Sequence, residues 1–172
     1  KADGPESLED VLAANDDAVS VLHREVKEGL GPAYIAGFKH ALAQGADLVV
    51  EMDADFSHHP RELPKFLAKL ETCDMVVGSR YVEGGGSSEW GFWRPLLSFL
   101  ANKYIAFVAG VPIRDTTSGF RAYRRAVLEE TEFDRIRIRG YVVHGEMAYQ
   151  AWVHGFRLGE VHLQPKLVAL LS

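Results

Sequence analysis

Two carboxylates separated by one residue are the clearest candidates for chemistry in this sequence. Asp53 and Asp55 follow the apolar run 48–52, which predicts a buried strand. Ligands bind outside the carboxyl ends of strands in parallel α/β sheets, so both side chains would stand at a binding edge. Because residues i and i+2 of a strand point the same way, the two carboxylates could share Mg²⁺ or Mn²⁺ with phosphate oxygens. The alternative is a solvated acidic turn in which Asp55 or Ser57 caps the helix beginning at Pro60.

Nearby histidines and an arginine also allow two interpretations each. His58 and His59 are adjacent, so they point in opposite directions, and the sequence favours loop histidines before a helix over a zinc site. Arg80 follows the predicted strand 75–78 and precedes the glycine run 84–86. An arginine in a glycine-rich loop suits phosphate binding, although a solvated surface arginine explains the same pattern. The glycines are not followed by Gly-Lys-Ser/Thr, so this is not a P-loop.

Three later segments carry weaker signals. Residues 90–109 are rich in aromatic and aliphatic side chains, with Arg94 and Lys103 as their basic residues. Such a helix could lie at a membrane interface or form part of the core. Residues 115–121 concentrate a carboxylate, three hydroxyls and the basic group of Arg121 around Gly119, although a turn whose Asp and Ser satisfy backbone amides explains the same pattern. Glu146 stands early on a predicted helix, where its negative charge is favoured anyway.

The elements that would position these residues alternate between strands and helices. The helix that begins near Pro32 carries an apolar stripe of Ile35, Phe38 and Leu42, and Gly45 ends it. This alternation predicts βαβ units, a mainly parallel sheet flanked by helices, and one domain over residues 1–172. In chain order the predicted elements are helix 5–14, the β-rich run 19–23, the helix from Pro32, strand 48–52, the helix from Pro60, strand 75–78, helix 93–109, helix 140–154 and strand 155–163.

Composition excludes several classes of protein. The 172 residues include 19 Lys+Arg and 24 Asp+Glu, which gives a net charge of −5 and argues against a nucleic-acid-binding protein. Hydrophobic residues make up 47% of the chain, as in ordinary globular domains. Cys73 is the single cysteine, so no internal disulfide can form, and a reducing compartment fits. No apolar run has the length of a membrane span, and no signal peptide is evident.

Taken in order, these segments resemble family 2 glycosyltransferases, and among them the polyprenyl-phosphate (dolichol-phosphate) mannosyltransferases. The resemblance extends from about Val19 to Val161, and the ordered series of motifs is more specific than any one of them. The residues that carry it are Gly29 to Gly31 with Ala33, Gly37 and Phe38, residues 51–55 with Ser57, His58 and Pro60, residues 77–81, Gly84 and Gly85, residues 115–121, Gly140 and Tyr141, Glu146 and Met147, and Gly155 and Phe156.

The resemblance implies a GT-A (Rossmann-like) fold, a nucleotide-sugar donor and a polyprenyl-phosphate acceptor. It implies that Asp53 and Asp55 hold Mg²⁺ or Mn²⁺ against the donor diphosphate, with Ser57 as a weaker third ligand. Asp55 and Arg80 are the implied catalytic residues, and Arg80 and Arg94 the implied contacts of the acceptor phosphate. The implied donor-binding residues are Gly31, Asp53, Ala54 and Asp55. The implied reaction is transfer with inversion, most simply of mannose from GDP-mannose, at the cytoplasmic face of a membrane or on a membrane-bound partner subunit.

Two departures from the family pattern leave alternatives open. The N-terminal strand with its donor-base motif is absent, and residues 162–172 lack the Arg-rich phosphate clamp of the family. We therefore expect the sequence to be incomplete at its N-terminus. A UDP-glucose donor, a non-catalytic binding domain of the same fold, and a metal-dependent nucleotidyltransferase or phosphohydrolase remain alternatives.

Overall fold

The computed structural model of the chain describes residues 18–26, 28–53, 57–79, 110–136 and 142–163. Helices and strands alternate through much of this part of the chain, as an α/β domain requires. The helices are α1 (Leu30–Ala43), α2 (Leu63–Leu70), α3 (Arg125–Glu130) and α4 (Val142–Val153), with short 3-10 turns at Pro60–Glu62 and Phe133–Arg135. The strands are β1 (Leu48–Glu51), β2 (Met75–Ser79), β3 (Arg121–Arg124) and β4 (Leu158–His162).

The four strands form one sheet in the order β1-β3-β2-β4. β3 is antiparallel to both β1 and β2, whereas β4 is parallel to β2. The predicted α/β class is confirmed, and the sheet is mixed. Of the four described strands, β1, β2 and β4 share one direction, whereas β3 lies between β1 and β2 and runs opposite to both.

The position of β3 brings two distant segments to one edge of the sheet. Arg121, the first residue of β3, pairs with Glu51, the last residue of β1. The residues that precede β3 therefore lie at the edge where the residues that follow β1 emerge. Ser79 ends β2 at this edge too, since β2 runs in the same direction as β1.

The sheet separates two hydrophobic clusters, because successive side chains of a strand point to opposite faces. Met75 and Val77 of β2 belong to one cluster and Val76 to the other. The larger cluster joins β2 to α1, α3 and α4, and its buried members are Phe38, Met75, Val77, Val111, Ile113, Tyr123, Val127, Leu128, Val143, Met147, Ala148 and Ala151. The smaller cluster lies under α2 and consists of Phe66, Leu70, Cys73, Val76, Phe120 and Ala122.

Helix α1 differs in one respect from its prediction. Phe38 is buried, and Tyr34 and Leu42 pack against the same cluster, so the inward stripe follows the spacing i, i+4, i+8. Ile35 does not pack against this cluster and so does not belong to the stripe. The helix begins after Gly29, whose φ of 106° favours glycine.

Most of the other predicted elements are confirmed within the part of the chain that the structure describes. The predicted strands at 48–52, 75–78 and 155–163 correspond to β1, β2 and β4, and helix 140–154 corresponds to α4. The β-rich run 19–23 forms no strand. The predicted helices 5–14 and 93–109 lie outside the described residues, and no helix among those described is long and apolar enough to cross a membrane.

Candidate functional site

Asp53 stands two residues beyond the end of β1, at the shared edge of the sheet. Its side chain is 34% exposed. Two contacts fix its position: the hydroxyl of Tyr34 on α1 donates a hydrogen bond of 3.1 Å to Oδ1, and the backbone N–H of Asp53 donates to Nδ1 of His58 over 2.9 Å. Asp53 thus presents a held but accessible carboxylate, which is the kind of ligand that Mg²⁺ and Mn²⁺ prefer.

Gly119 faces this carboxylate from the loop that precedes β3. A Cβ atom built on Gly119 would lie 3.4 Å from Oδ2 and 3.5 Å from Oδ1 of Asp53. The loop backbone therefore approaches Asp53 closely, and position 119 places no side chain against the two carboxylate oxygens.

Hydrogen bonds of residues 114–118 with one another, with Phe120 and with Glu160 hold this loop in place. The Asp115 carboxylate is fully buried and accepts from the backbone N–H and the hydroxyl of Thr117. Oε1 of Glu160 on β4 accepts from the backbone N–H groups of Arg114 and Asp115, over 2.9 and 3.0 Å. Ser118 Oγ accepts from the N–H of Phe120. The predicted turn, with Asp and Ser satisfying backbone amides, is confirmed.

Arg121 binds the protein's own backbone. Its side chain is 0% exposed, and its guanidinium donates to the carbonyl oxygens of Ser118, Thr116 and His144 over 2.6, 2.7 and 2.7 Å. A buried cation is stable only when its donors are satisfied, and these three acceptors meet that need. Arg121 therefore joins the loop to the first turn of α4.

A buried polar group includes Glu51, which ends β1 two residues before Asp53. Nε2 of His144 is 2.5 Å from Oε1 of Glu51, and Oε2 of Glu51 accepts a 3.3 Å hydrogen bond from the hydroxyl of Tyr123. Burial, reinforced by the neighbouring Glu51 carboxylate, raises the pKa of Tyr123 well above its usual range, so Tyr123 remains a donor. The ring of Tyr34 packs against His144 with centroids 5.0 Å apart, which connects this group to the Asp53 contact.

The two histidines accept hydrogen bonds from backbone N–H groups, as expected of loop histidines before a helix. Nδ1 of His58 accepts a hydrogen bond from the backbone N–H of Asp53, and the ring of His58 stacks on that of Phe120 with centroids 4.8 Å apart. Nδ1 of His59 accepts from the backbone N–H of Arg61 and so caps the 3-10 turn. Within the described residues, no three His, Cys, Asp or Glu side chains gather as they would around a metal ion.

The structure describes only some of the residues that the sequence assigns to the site. Asp53 lies at the sheet edge, Ser57 is exposed, and Gly31 is buried in the first turn of α1. Ala54, Asp55, Arg80 and Arg94 lie outside the described residues. The donor chemistry at Asp53 fits a hard divalent cation, because a partly exposed carboxylate is a suitable partial ligand set.

Two residues of this arrangement did not emerge from the sequence as contacts of Asp53. Tyr34 is one turn before Phe38, and that i, i+4 spacing places both on one face of α1, which is the signal that could have found it. Gly119 belongs to the motif 115–121, but the sequence does not indicate that it faces Asp53.

The fold is that of GT-A-type α/β proteins. Glucosyl-3-phosphoglycerate synthase from Mycobacterium tuberculosis, in complex with Mn²⁺, UDP-glucose and phosphoglyceric acid, superimposes with a TM-score of 0.64 over 91% of this chain and 55% of that chain, at 20% identity. The UDP complex of the same enzyme gives 0.65 over 92% and 56%, at 19% identity. These similarities establish the fold.

Sequence comparison then establishes the family. The glycosyl transferase family 2 profile matches residues 2–131, so the chain belongs to this family, as the motifs predict. The chain is 42% identical to undecaprenyl-phosphate mannosyltransferase from Micrococcus luteus over 159 residues, which are 92% of this chain and 65% of that protein. It is 45% identical to polyprenol monophosphomannose synthase from Mycolicibacterium smegmatis, over 92% and 61%. The chain thus spans less than two thirds of the length of these relatives.

Proposed function

We propose that the protein transfers mannose from GDP-mannose to a polyprenyl phosphate, with inversion and with the help of Mg²⁺ or Mn²⁺. The observation that carries this proposal is the Asp53 carboxylate, which is partly exposed, held by Tyr34 at the carboxyl edge of the sheet, and faced by Gly119. The two mannosyltransferase relatives, at 42% and 45% identity, support the choice of sugar and acceptor.

Asp53 and Asp55 would hold the cation, with Ser57 as a weaker third ligand and Gly31 and Ala54 near the donor. When bound, the cation would neutralise the departing diphosphate. Tyr34 engages Oδ1 of Asp53 and so fixes the orientation of the carboxylate.

The acceptor needs no dedicated general base. A phosphate monoester has its second pKa near about 6, so its attacking oxygen is largely anionic at neutral pH. What the protein must supply is positive charge, which we assign to Arg80 and Arg94. Ser79 ends β2 at the same edge as Asp53, and Arg80 is the next residue in the sequence.

The proposed acceptor also determines where the protein works. A polyprenyl phosphate is anchored in a bilayer, so the site must approach the membrane surface. We therefore propose peripheral attachment at the cytoplasmic face, either through the apolar segment 90–109 or through a membrane-bound partner subunit.

The test is a transfer assay with radiolabelled GDP-mannose and undecaprenyl phosphate, followed by extraction of the lipid product. We expect transfer to require Mn²⁺ or Mg²⁺ and to fall by about a hundredfold or more in Asp53→Asn and Asp55→Asn. Asp134→Asn is the matched control, since the Asp134 side chain is 96% exposed and pairs with Lys39. Undiminished transfer in Asp53→Asn, or in the presence of EDTA, would contradict the proposed metal site.

UDP-glucose is the second donor to test. The fold neighbour from Mycobacterium tuberculosis was solved with UDP-glucose and Mn²⁺, so UDP-glucose is the donor to compare with GDP-mannose. Calorimetric titration of each donor with and without Mn²⁺ identifies the preferred one. Binding of neither donor by the full-length protein would instead favour a non-catalytic domain, and a product with the anomeric configuration of the donor would exclude inversion.

A further inference from the structure

Gly119 is a glycine that the backbone does not require. Four described glycines have a positive φ, the conformation that favours this residue, and Gly119 is not among them. An alanine Cβ at this position would meet atoms of Asp53 at 3.4, 3.5 and 3.7 Å, which are ordinary van der Waals distances. Among the described residues there is therefore room for a methyl group at position 119, and neither the backbone conformation nor the packing of these residues explains the glycine.

The loop cannot easily move away from Asp53. Arg121 holds it through the carbonyls of Thr116 and Ser118. On the other side, the ring of Phe120 is fully buried, with His58 at 4.8 Å and Phe66 at 4.4 Å. A side chain added at position 119 would consequently stay above the Asp53 carboxylate.

We propose that Gly119 keeps a side chain off the Asp53 carboxylate, so that a divalent cation and the donor oxygens that accompany it can reach this carboxylate. This inference rests on the proposed function and adds a residue to its binding site. Mg²⁺ or Mn²⁺ binds oxygen at about 2.0–2.2 Å and needs several further oxygen ligands around it. A methyl group 3.4 Å from Oδ2 of Asp53 would occupy part of that coordination shell.

The test compares Gly119→Ala with Gly37→Ala in the full-length protein. Gly37 is exposed in α1, and a Cβ there would have no atom of the described residues within 4 Å, so this substitution makes the same chemical change away from Asp53. Mn²⁺ is titrated into each protein, and the free ion is measured by electron paramagnetic resonance. Thermal unfolding is recorded for the same samples.

We expect Gly119→Ala to unfold close to the wild-type temperature and to bind Mn²⁺ at least about tenfold more weakly. Gly37→Ala should bind Mn²⁺ as the wild type does. Equal binding by wild type and Gly119→Ala would overturn the role of Gly119 and leave the proposed function standing. Absence of Mn²⁺ binding in the wild type would overturn the metal site and this inference together. A large loss of thermal stability in Gly119→Ala would show that the glycine serves folding, and would also overturn the inference.

Discussion

The hydroxyl of Tyr34 donates a 3.1 Å hydrogen bond to Oδ1 of Asp53, and the ring of Tyr34 packs 5.0 Å from that of His144. His144 in turn pairs with the buried carboxylate of Glu51. One side chain of α1 therefore connects the accessible carboxylate at the sheet edge to this buried pair. Because rotamers locked by packing hold a site more firmly than solvated ones, this contact should matter for metal binding.

Replacing Tyr34 by phenylalanine removes the hydrogen bond and keeps the ring against His144. We expect the affinity for Mn²⁺ to fall by about 10- to 100-fold, as is usual when a group that orients a metal ligand is lost. The free energy of unfolding should fall by only about 1 kcal/mol. Mn²⁺ titration and urea unfolding measure the two effects separately.

Tyr149→Phe is the matched control, because Tyr149 is exposed on α4. It should leave both quantities unchanged. If Tyr34→Phe lost no more stability than Tyr149→Phe and bound Mn²⁺ as tightly as the wild type, the Tyr34 hydroxyl would have no role at the site. The ring of Tyr34 would then serve packing alone.

Glu51→Gln should destabilise the fold by about 2 kcal/mol or more. The substitution removes a buried charge that pairs with His144 and accepts from Tyr123, and hydrogen bonds to charged groups contribute more than neutral ones. Urea unfolding checks this against Glu129→Gln, whose half-exposed ion pair with Arg125 should contribute less than about 1 kcal/mol. Equal stability of the two variants would contradict the importance of the buried pair.

Arg121→Lys should loosen the loop that carries Gly119. A lysine ammonium cannot reproduce the planar guanidinium that reaches three carbonyls, so buried acceptors would lose their partners. We expect a loss of about 3 kcal/mol in the free energy of unfolding and faster proteolysis within residues 114–120. Arg135→Lys, at an exposed pair with Glu132, is the control and should change neither quantity. Retained stability and protection in Arg121→Lys would refute the proposed role of Arg121 in holding the loop.

The ion pair of Asp74 with Arg157 should make stability depend on pH. Hydrogen bonding to the Arg157 guanidinium lowers the pKa of Asp74 below its usual 3.8. The contribution of the Asp74 carboxylate to the free energy of unfolding is therefore fully present above its unfolded-state pKa. This contribution is lost as the pH falls through the lower, folded-state pKa.

Unfolding of wild type and Asp74→Asn, measured between pH values of about 3 and 7, tests this linkage. The wild type should be more stable at neutral pH, and the difference should narrow toward acid. Asp134→Asn removes the same charge at an exposed site and controls for net charge. A constant difference across this range would contradict the prediction.

The sequence alone determined several of the local elements and the family. Strands β1 and β2, the helix before β1 and the helix before β4 follow from apolar spacing and from glycine and proline positions, all of which act over short stretches of chain. The position of Asp53 beyond β1 follows equally, because it depends on where one strand ends. The ordered motifs were sufficient to predict family 2 glycosyltransferases, and the family comparison confirms this.

Only the tertiary structure decided which of these residues meet. The antiparallel insertion of β3 brings Gly119 against Asp53, and the Tyr34 contact crosses 19 residues of sequence. The pair of His144 with Glu51 crosses 93. Such contacts depend on strand order and on how helices pack over the sheet, which no local pattern encodes. For the same reason the sequence offered Arg121 as a basic group among hydroxyls, whereas burial against three carbonyls makes it part of the framework.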